Sequence, residues 1–246
     1  MSLLFRISII FIVISCASDK PKGKTEAEIL YKEAQRLMDD GRYILATEKL
    51  NQLKNQYPYS IYATPSELLM ADILYEQESY VESAAAYLLF RDFHPKHEKL
   101  SYVVYKIAQS YFKQIPETYD RDLQPAFEAI KYYKELKLKF PNSKYSLKAN
   151  KRISKSQQMI RDKEQYIADF YFKTENYEAA LWRYKDILDN FKNKKIVSHS
   201  ARRIVLSNYY LKNWGDCYNS AQKYKTIIKE NDDYKEAYNK CRAKFK

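Results

Sequence analysis

A 15-residue frame that recurs along the chain restricts its fold more than any other feature. The strings GRYILATEKLNQLKNQYP and ESYVESAAAYLLFRDFHP end at Pro58 and Pro95, which are 37 residues apart, and each carries a Tyr 15 residues before its Pro. Two further frames run over 126–141 and 177–192, and a fifth begins at Trp214. A fixed period of this length predicts one structural unit that is repeated and stacked.

Each frame has a small side chain three residues after its start. Small residues at one fixed place in successive helices let neighbouring helices approach closely, while the aromatic residue at the start of the frame fills the space beside them. Each frame is therefore predicted to be the second helix of a pair. The small residues are Ala46, Ser83, Ala129, Ala180 and Cys217.

The segments before the frames have the apolar spacing of first helices. In the first repeat, apolar residues recur every three or four positions from Ala27 to Met38, which is one face of a helix, and Asp40-Gly41 ends it. The corresponding helix of the second repeat is expected just after Pro65. In the fourth repeat we expect a long helix over about 145–174, followed by Asn176 in the left-handed conformation that Gly supplies elsewhere.

The composition favours helices and disfavours catalysis. The chain has only three Gly, and no Pro follows Pro141, so it offers few turns for a sheet and no Gly-rich phosphate loop. His94 and His97 flank Pro95, where a helix ends, so they do not share a helical metal-binding face. No Ser or Cys lies in a recognisable nucleophile motif. We therefore expect no enzyme activity, no metal and no cofactor.

Helix pairs of about 34 residues with a closing Pro are similar to tetratricopeptide repeats. The sequence predicts an all-α domain over 26–246, a right-handed solenoid of about five such pairs. A solenoid has a groove lined by its first helices, which suits an extended peptide or a loop of a partner protein. An irregular helical bundle is the alternative.

The first 25 residues resemble the start of a bacterial lipoprotein. A short basic end is followed by the uncharged run ISIIFIVIS, which is too short for a membrane anchor. Val13, Ile14 and Ser15 then resemble the lipobox that precedes an acylated cysteine. The resemblance implies a signal peptide over 1–15, lipidation of Cys16 and a flexible tether over 16–25.

Ala17 after the cysteine is typical of transport to the outer membrane. The alternatives are an ordinary secretory signal with an incidental cysteine and a buried apolar N-terminus.

The chain is basic, with a formal net charge of +12. In a cytoplasmic protein this excess would suggest nucleic acid, but the export signal argues against that partner. Lys and Arg concentrate over 144–163 and 192–203. These regions are either solvated helix faces or surfaces for an acidic partner or anionic lipid head groups.

Cys217 and Cys241 lie 24 residues apart in the last repeat and the terminal helix. Export permits a disulfide between them. Because Cys217 occupies the small-residue position, we expect two buried thiols, with a disulfide as the alternative.

The stretch DRDLQPAFEAIKYYKELKLKFPNSKYSLKANKRI, residues 120–153, resembles the BamD family of the outer-membrane β-barrel assembly machinery. The shared features are Arg121-Asp122 before a helix, the Phe-Pro-Asn-Ser run at 140–143 with Tyr145, and Ala149 to Arg152. The resemblance extends over nearly the whole chain through three further segments: YPYSIYA, FHPKHEKLSYVVY and ADFYFKTENYEAALWRYKDIL. It departs from the family pattern at Lys192, where Pro is usual, at 99–101, in the short 113–119 loop and at 174–176.

This resemblance implies a non-enzymatic protein anchored by lipid on the periplasmic face of the outer membrane. Family members bind a POTRA domain of BamA through C-terminal repeats, associate with other lipoproteins of the machinery, and capture targeting strands of unfolded outer-membrane proteins with N-terminal repeats. An Arg of the BamA contact matches Arg183. Candidates for the substrate groove are Tyr57, Tyr59 and Tyr62, because aromatic rings suit an extended apolar peptide. The alternative is another periplasmic tetratricopeptide scaffold lipoprotein, acting in envelope or cell-wall organisation.

Overall fold

The structure, a computed structural model, describes residues 22–229 and 231–245. The regular secondary structure of these residues is entirely helical. The predicted signal peptide and Cys16 lie outside these residues. The helices are α1 (Glu26–Asp39), α2 (Tyr43–Gln56), α3 (Ala63–Glu76), α4 (Tyr80–Phe93), α5 (Leu100–Lys113), α6 (Gln124–Lys139), α7 (Ala149–Lys173), α8 (Tyr177–Asn190), α9 (Lys194–Tyr210), α10 (Trp214–Lys223) and α11 (Asp232–Phe245), with a short 3-10 turn (Ser146–Lys148) before α7.

The boundaries of the second helices follow the sequence frame. Helices α2, α4, α8 and α10 begin at the first residue of their frames, whereas α6 begins at Gln124, two residues before its frame starts at Ala126. Helices α2, α4, α6 and α8 each end two residues before the Pro position. Helix α8 does so although Lys192 occupies that position, so the Pro is not required to end the helix.

The second helices bury one stripe of side chains. All five small residues have no exposed surface, as the sequence predicts. The stripe continues four and seven positions further along each helix, the spacing of a single helical face. Its large members are Leu50, Tyr87, Tyr133 and Tyr184, followed by Leu53, Phe90, Leu136 and Ile187.

Four of the turns that precede second helices share one backbone conformation. The residue two positions before the helix has a positive φ: 73° at Gly41, 60° at Glu78, 61° at Glu175 and 61° at Lys212. Around Glu175 and Lys212 the backbone amides donate to Phe172 and Tyr209, three residues earlier, and the next amides donate five residues back. This is the Schellman pattern that ends a helix.

The expectation that Asn176 adopts the left-handed conformation is wrong. Asn176 has φ −82°, and its side-chain oxygen accepts a hydrogen bond from the backbone N–H of Ala179, which caps α8. The capping role requires an ordinary φ at Asn176, so the left-handed residue is its predecessor Glu175.

The chain divides into two compact units, one up to Gln77 and one from Glu78. In the first unit, α1, α2 and α3 enclose a core of Ala34, Leu37, Ala46, Leu50, Leu69 and Ile73. In the second unit, each of the helices α4 to α10 packs against the next one along the chain, and α11 packs on α9 and α10. The predicted all-α class of stacked helix pairs is confirmed.

The expectation of two buried thiols is also wrong. Cys217 of α10 and Cys241 of α11 form a disulfide, with their Cα atoms 6.0 Å apart. Both residues are fully buried in a cluster with Val205 of α9 and Tyr234 of α11. Cys217, the small residue of the fifth frame, is therefore covalently joined to the terminal helix α11.

Within 22–229 and 231–245, no helix has both the length and the apolar character needed to span a bilayer. Pro65 lies in the first turn of α3 rather than just before the helix. That position is compatible with helix because the N–H groups of the first turn have no partner within the helix.

Candidate partner-binding surfaces

The three predicted groove tyrosines lie between α2 and α3 of the first unit but have different surroundings. Tyr57 is partly buried and ends α2, where its N–H donates to the Leu53 carbonyl at 2.8 Å. Tyr62 packs its ring 5.5 Å from that of Tyr31 on α1. Tyr59 is 100% exposed and Ile61 is 83% exposed. Tyr59 and Ile61 are therefore the apolar side chains of this segment that are open to a ligand.

Arg183 lies on α8, one residue before the fully buried Tyr184. Its Nη1 atom is 3.9 Å from Glu164 Oε2 of α7, and both side chains are partly exposed. This separation is too long for a hydrogen bond, and exposed ion pairs contribute only about 0–1 kcal/mol. The Arg183 side chain has no hydrogen bond within the described chain, so its guanidinium retains donors for a partner.

A polar network below Arg183 fixes α8 against its two neighbours. The Tyr184 hydroxyl donates to Asp169 Oδ1 of α7 at 2.5 Å. The Nε2 atom of His199, on α9, lies 2.7 Å from the same oxygen, and Gln165 donates to the other carboxylate oxygen at 3.3 Å. Since an ionised carboxylate only accepts hydrogen bonds, His199 is the donor. One carboxylate thus links α7, α8 and α9.

The network also sets the charge state of its members. Partial burial opposes ionisation of Asp169, but hydrogen bonds from His199 and Tyr184 outweigh it and hold the pKa of Asp169 below its usual value. Burial and the neighbouring Asp169 raise the pKa of the Tyr184 phenol. Asp169 is therefore a charged acceptor and Tyr184 a neutral donor at neutral pH.

Trp182 is a candidate that no sequence motif indicates. It is 69% exposed beside Arg183, and Trp and Arg are the residues most enriched at the centres of protein interfaces. The same position of the other four frames is occupied by Glu48, Ala85, Lys131 and Asn219, all of them exposed. A Trp at a position that faces solvent in every repeat is the sequence signal that would have identified it.

An open groove of about 800 Å³ runs along α7 to the start of α9. Its aromatic residues are Tyr119, Tyr166 and Phe170, which are 38%, 47% and 52% exposed. Asp169 also lies at its wall, beside the charged Arg161, Asp162, Lys173 and Lys195. Apolar rings between charges of both signs suit a peptide with mixed side chains. Sequence reasoning did not assign this groove to a ligand.

The two neighbouring histidines are engaged in ring packing. His94 and His97 lie 4.6 Å and 5.1 Å from the Phe90 ring, measured between centroids. Among the residues that the structure describes, no group of three His, Cys, Asp or Glu side chains is placed to hold a metal ion.

The YfiO family, described as outer membrane lipoprotein, matches residues 23–224, which contain all of these surfaces. The chain belongs to this family. The BamD resemblance is confirmed by curated relatives named outer membrane protein assembly factor BamD. The Rickettsia prowazekii protein is 27% identical over 215 residues, covering 87% of this chain and 84% of its own length. That of Neisseria gonorrhoeae is 29% identical over 221 residues, covering 83% of each chain.

Among solved structures, the TPR2AB domain of yeast Sti1 in a pHSP90 complex is similar with a TM-score of 0.45 and 11% identity, over 91% of this chain and 85% of its own.

Proposed function

We propose that this YfiO-family chain is a lipid-anchored, non-enzymatic subunit of the outer-membrane β-barrel assembly machinery. It binds a POTRA domain of BamA and the targeting strands of unfolded outer-membrane proteins, alongside other lipoproteins of the machinery. The family match over 23–224 carries the proposal, because the relatives named above are outer membrane protein assembly factors.

The BamA contact is assigned to Trp182 and Arg183 on α8. An exposed indole and an adjacent guanidinium supply apolar area and directed hydrogen bonds at one place. The Asp169 network holds α8 in position, so the two side chains are presented from a fixed backbone. A rigid surface loses less entropy on binding than a mobile one.

The experiment is a pull-down of BamA from a detergent extract with this chain as bait. We expect W182A and R183E each to reduce the recovered BamA at least tenfold, whereas F127A and K134E, at exposed positions of α6, leave it unchanged. Recovery of peptidoglycan enzymes or their coordinators instead of BamA would support the cell-wall scaffold and overturn the assembly role.

The binding of targeting strands is assigned to Tyr59 and Ile61, the exposed apolar side chains between α2 and α3. A photo-reactive residue at position 59 is expected to crosslink to a peptide with the C-terminal sequence of an outer-membrane barrel. The same residue at the exposed position 89 of α4 is the control. Equal crosslinking at both positions would contradict the assignment.

The anchor is assigned to Cys16, which lies outside the described residues. Mass spectrometry of protein from native membranes should find a chain that begins at Cys16 and carries acyl groups, which would hold it firmly on a membrane. Detection of a native chain with residues 1–15 attached would contradict this part of the proposal.

A further inference from the structure

One stretch of the chain contains many basic residues and no acidic ones. Residues 136–161 contain no Asp or Glu, although the chain has 31 acidic residues. Positive charge collects where α6 ends and α7 begins. The basic residues of the stretch are Lys137, Lys139, Lys144, Lys148, Lys151, Arg152, Lys155 and Arg161.

Hydrogen bonds hold residues 137–151, the α6–α7 corner, in a defined conformation. The Lys137 ammonium donates to Asn150 Oδ1 at 2.6 Å, which joins the end of α6 to the start of α7. The Ser146 hydroxyl donates to the Phe140 carbonyl at 2.7 Å. The charges of the corner therefore lie on an ordered part of the surface.

Most lysines of the corner keep their full charge for an outside partner. Lys144, Lys148 and Lys151 are exposed, and no described carboxylate lies within ion-pair distance of them. Lys139 differs, since it pairs with Glu135 of α6 at 2.9 Å.

The α6–α7 corner also exposes two leucines among its lysines. Leu138 is 82% exposed and Leu147 is 84% exposed. The second basic concentration, 192–203, has similar charge but no exposed large apolar side chain among its described residues. Single exposed apolar residues are ordinary on a protein surface, but here Leu138 stands between Lys137 and Lys139 in the sequence, and Leu147 directly precedes Lys148. Lysines with interspersed leucines are typical of surfaces that rest on lipid.

We propose that the α6–α7 corner docks on an anionic lipid surface, with Lys144, Lys148 and Lys151 near phosphate head groups and Leu138 and Leu147 in the apolar boundary below them. Charge complementarity supports phosphate as the ligand chemistry. The leucines favour a membrane over a soluble acidic protein, because burial in the acyl region removes their apolar surface from water. This contact is additional to the proposed Cys16 anchor and independent of BamA.

The test is co-sedimentation of a chain starting at Ala17, which lacks the acyl group and retains every described residue. Vesicles contain either phosphatidylglycerol mixed with phosphatidylcholine or phosphatidylcholine alone. We expect binding to the first kind only, weakening as salt rises. The triple variant K144Q/K148Q/K151Q should lose about fivefold in affinity for each lysine removed. L138Q/L147Q should lower affinity while keeping the salt dependence.

Matched controls remove the same number of charges, or of exposed apolar side chains, elsewhere. K192Q/K194Q/K195Q takes the same charge from the second basic concentration, and V81Q/L89Q replaces two exposed apolar residues of α4. Both are expected to bind as the unsubstituted chain does. Equal losses in the controls, or equal binding to vesicles of phosphatidylcholine alone, would overturn the proposal. Absence of binding to the phosphatidylglycerol vesicles would also overturn it, and the BamA pull-down would be unaffected by that result.

Discussion

At the scale of single residues, the turns before the second helices show how this chain manages with few glycines. Gly41 has the positive φ that such a turn requires at no steric cost, whereas Glu78, Glu175 and Lys212 adopt it with a Cβ atom. A left-handed conformation costs about 1–2 kcal/mol in a residue other than Gly. Three turns are therefore held by the helices around them against a local preference.

We expect E175G to stabilise the protein by about 0.5–1 kcal/mol, because relief of the left-handed strain exceeds the extra entropy that Gly gives the unfolded chain. K212G should behave in the same way. The free energy of unfolding from urea titration measures both. E175A is the control and should bring no gain, since Ala keeps the Cβ atom; an equal gain from E175A would show that the charge, not the backbone, was responsible.

The lowered pKa of Asp169 predicts a specific acid sensitivity. Because the carboxylate is favoured in the folded state, its contribution to stability is complete above the ordinary value of 3.8 and is lost as pH falls below it. D169N should therefore be less stable than the unsubstituted chain at neutral pH, and the difference in unfolding free energy should shrink below about pH 4.

Asp162, on the same helix, provides the comparison for that measurement. Its side chain forms no ion pair or hydrogen bond with the described part of the chain, so D162N should change stability little at any pH. A pH-independent difference for D169N would show that the Asp169 charge does not contribute through the network.

At the scale of the helix, the fully buried small residues determine how closely each second helix packs. A180L would place three additional carbon atoms at a position with no exposed surface, and we expect a loss of about 1–3 kcal/mol in unfolding free energy. A85L makes the same change at an exposed position of α4 and should be nearly neutral. If A85L cost as much as A180L, close packing would not explain the small residue.

The sequence predicted helices more reliably than the contacts between them. A frame start such as Tyr177 and a small residue such as Ala180 are local signals, and both were located correctly because helical periodicity depends on neighbours along the chain. The contact of Cys217 with Cys241 and that of Tyr184 with Asp169 and His199 depend on how helices are offset when they stack. No local pattern encodes that offset, so neither the disulfide nor the network can be predicted from the sequence.

For the candidate surfaces, the sequence indicated which positions to consider but not how exposed their side chains are. It indicated the segment 57–62 without separating the exposed Tyr59 from Tyr62, which packs on α1. The resemblance to the family indicated Arg183, and no sequence motif indicated Trp182.

At the scale of the whole molecule, stacked helix pairs contact mainly their neighbours, so a disturbance should remain local. Reduction of the Cys217–Cys241 disulfide, which closes a loop of 24 residues, should cost about 3 kcal/mol. Hydrogen exchange followed by mass spectrometry should show faster exchange in α9, α10 and α11 after reduction. Exchange in α1 to α3 should not change.

C217A/C241A is the matched variant for that experiment, because it lacks the bond under both conditions. Its exchange should be the same with and without reductant. Faster exchange of α1 to α3 in the reduced unsubstituted chain would contradict a local effect and indicate cooperative unfolding of all the helices.

The different surroundings of the two tryptophans give the protein an optical reporter of its own. Trp182 is largely in water, while Trp214 packs with its ring centroid 6.1 Å from that of Tyr209. Iodide should therefore quench the fluorescence of Trp182 in preference to that of Trp214. A partner that covers α8 would shift the emission to shorter wavelength and shield it from iodide, so occupancy of this helix could be followed without attaching a dye.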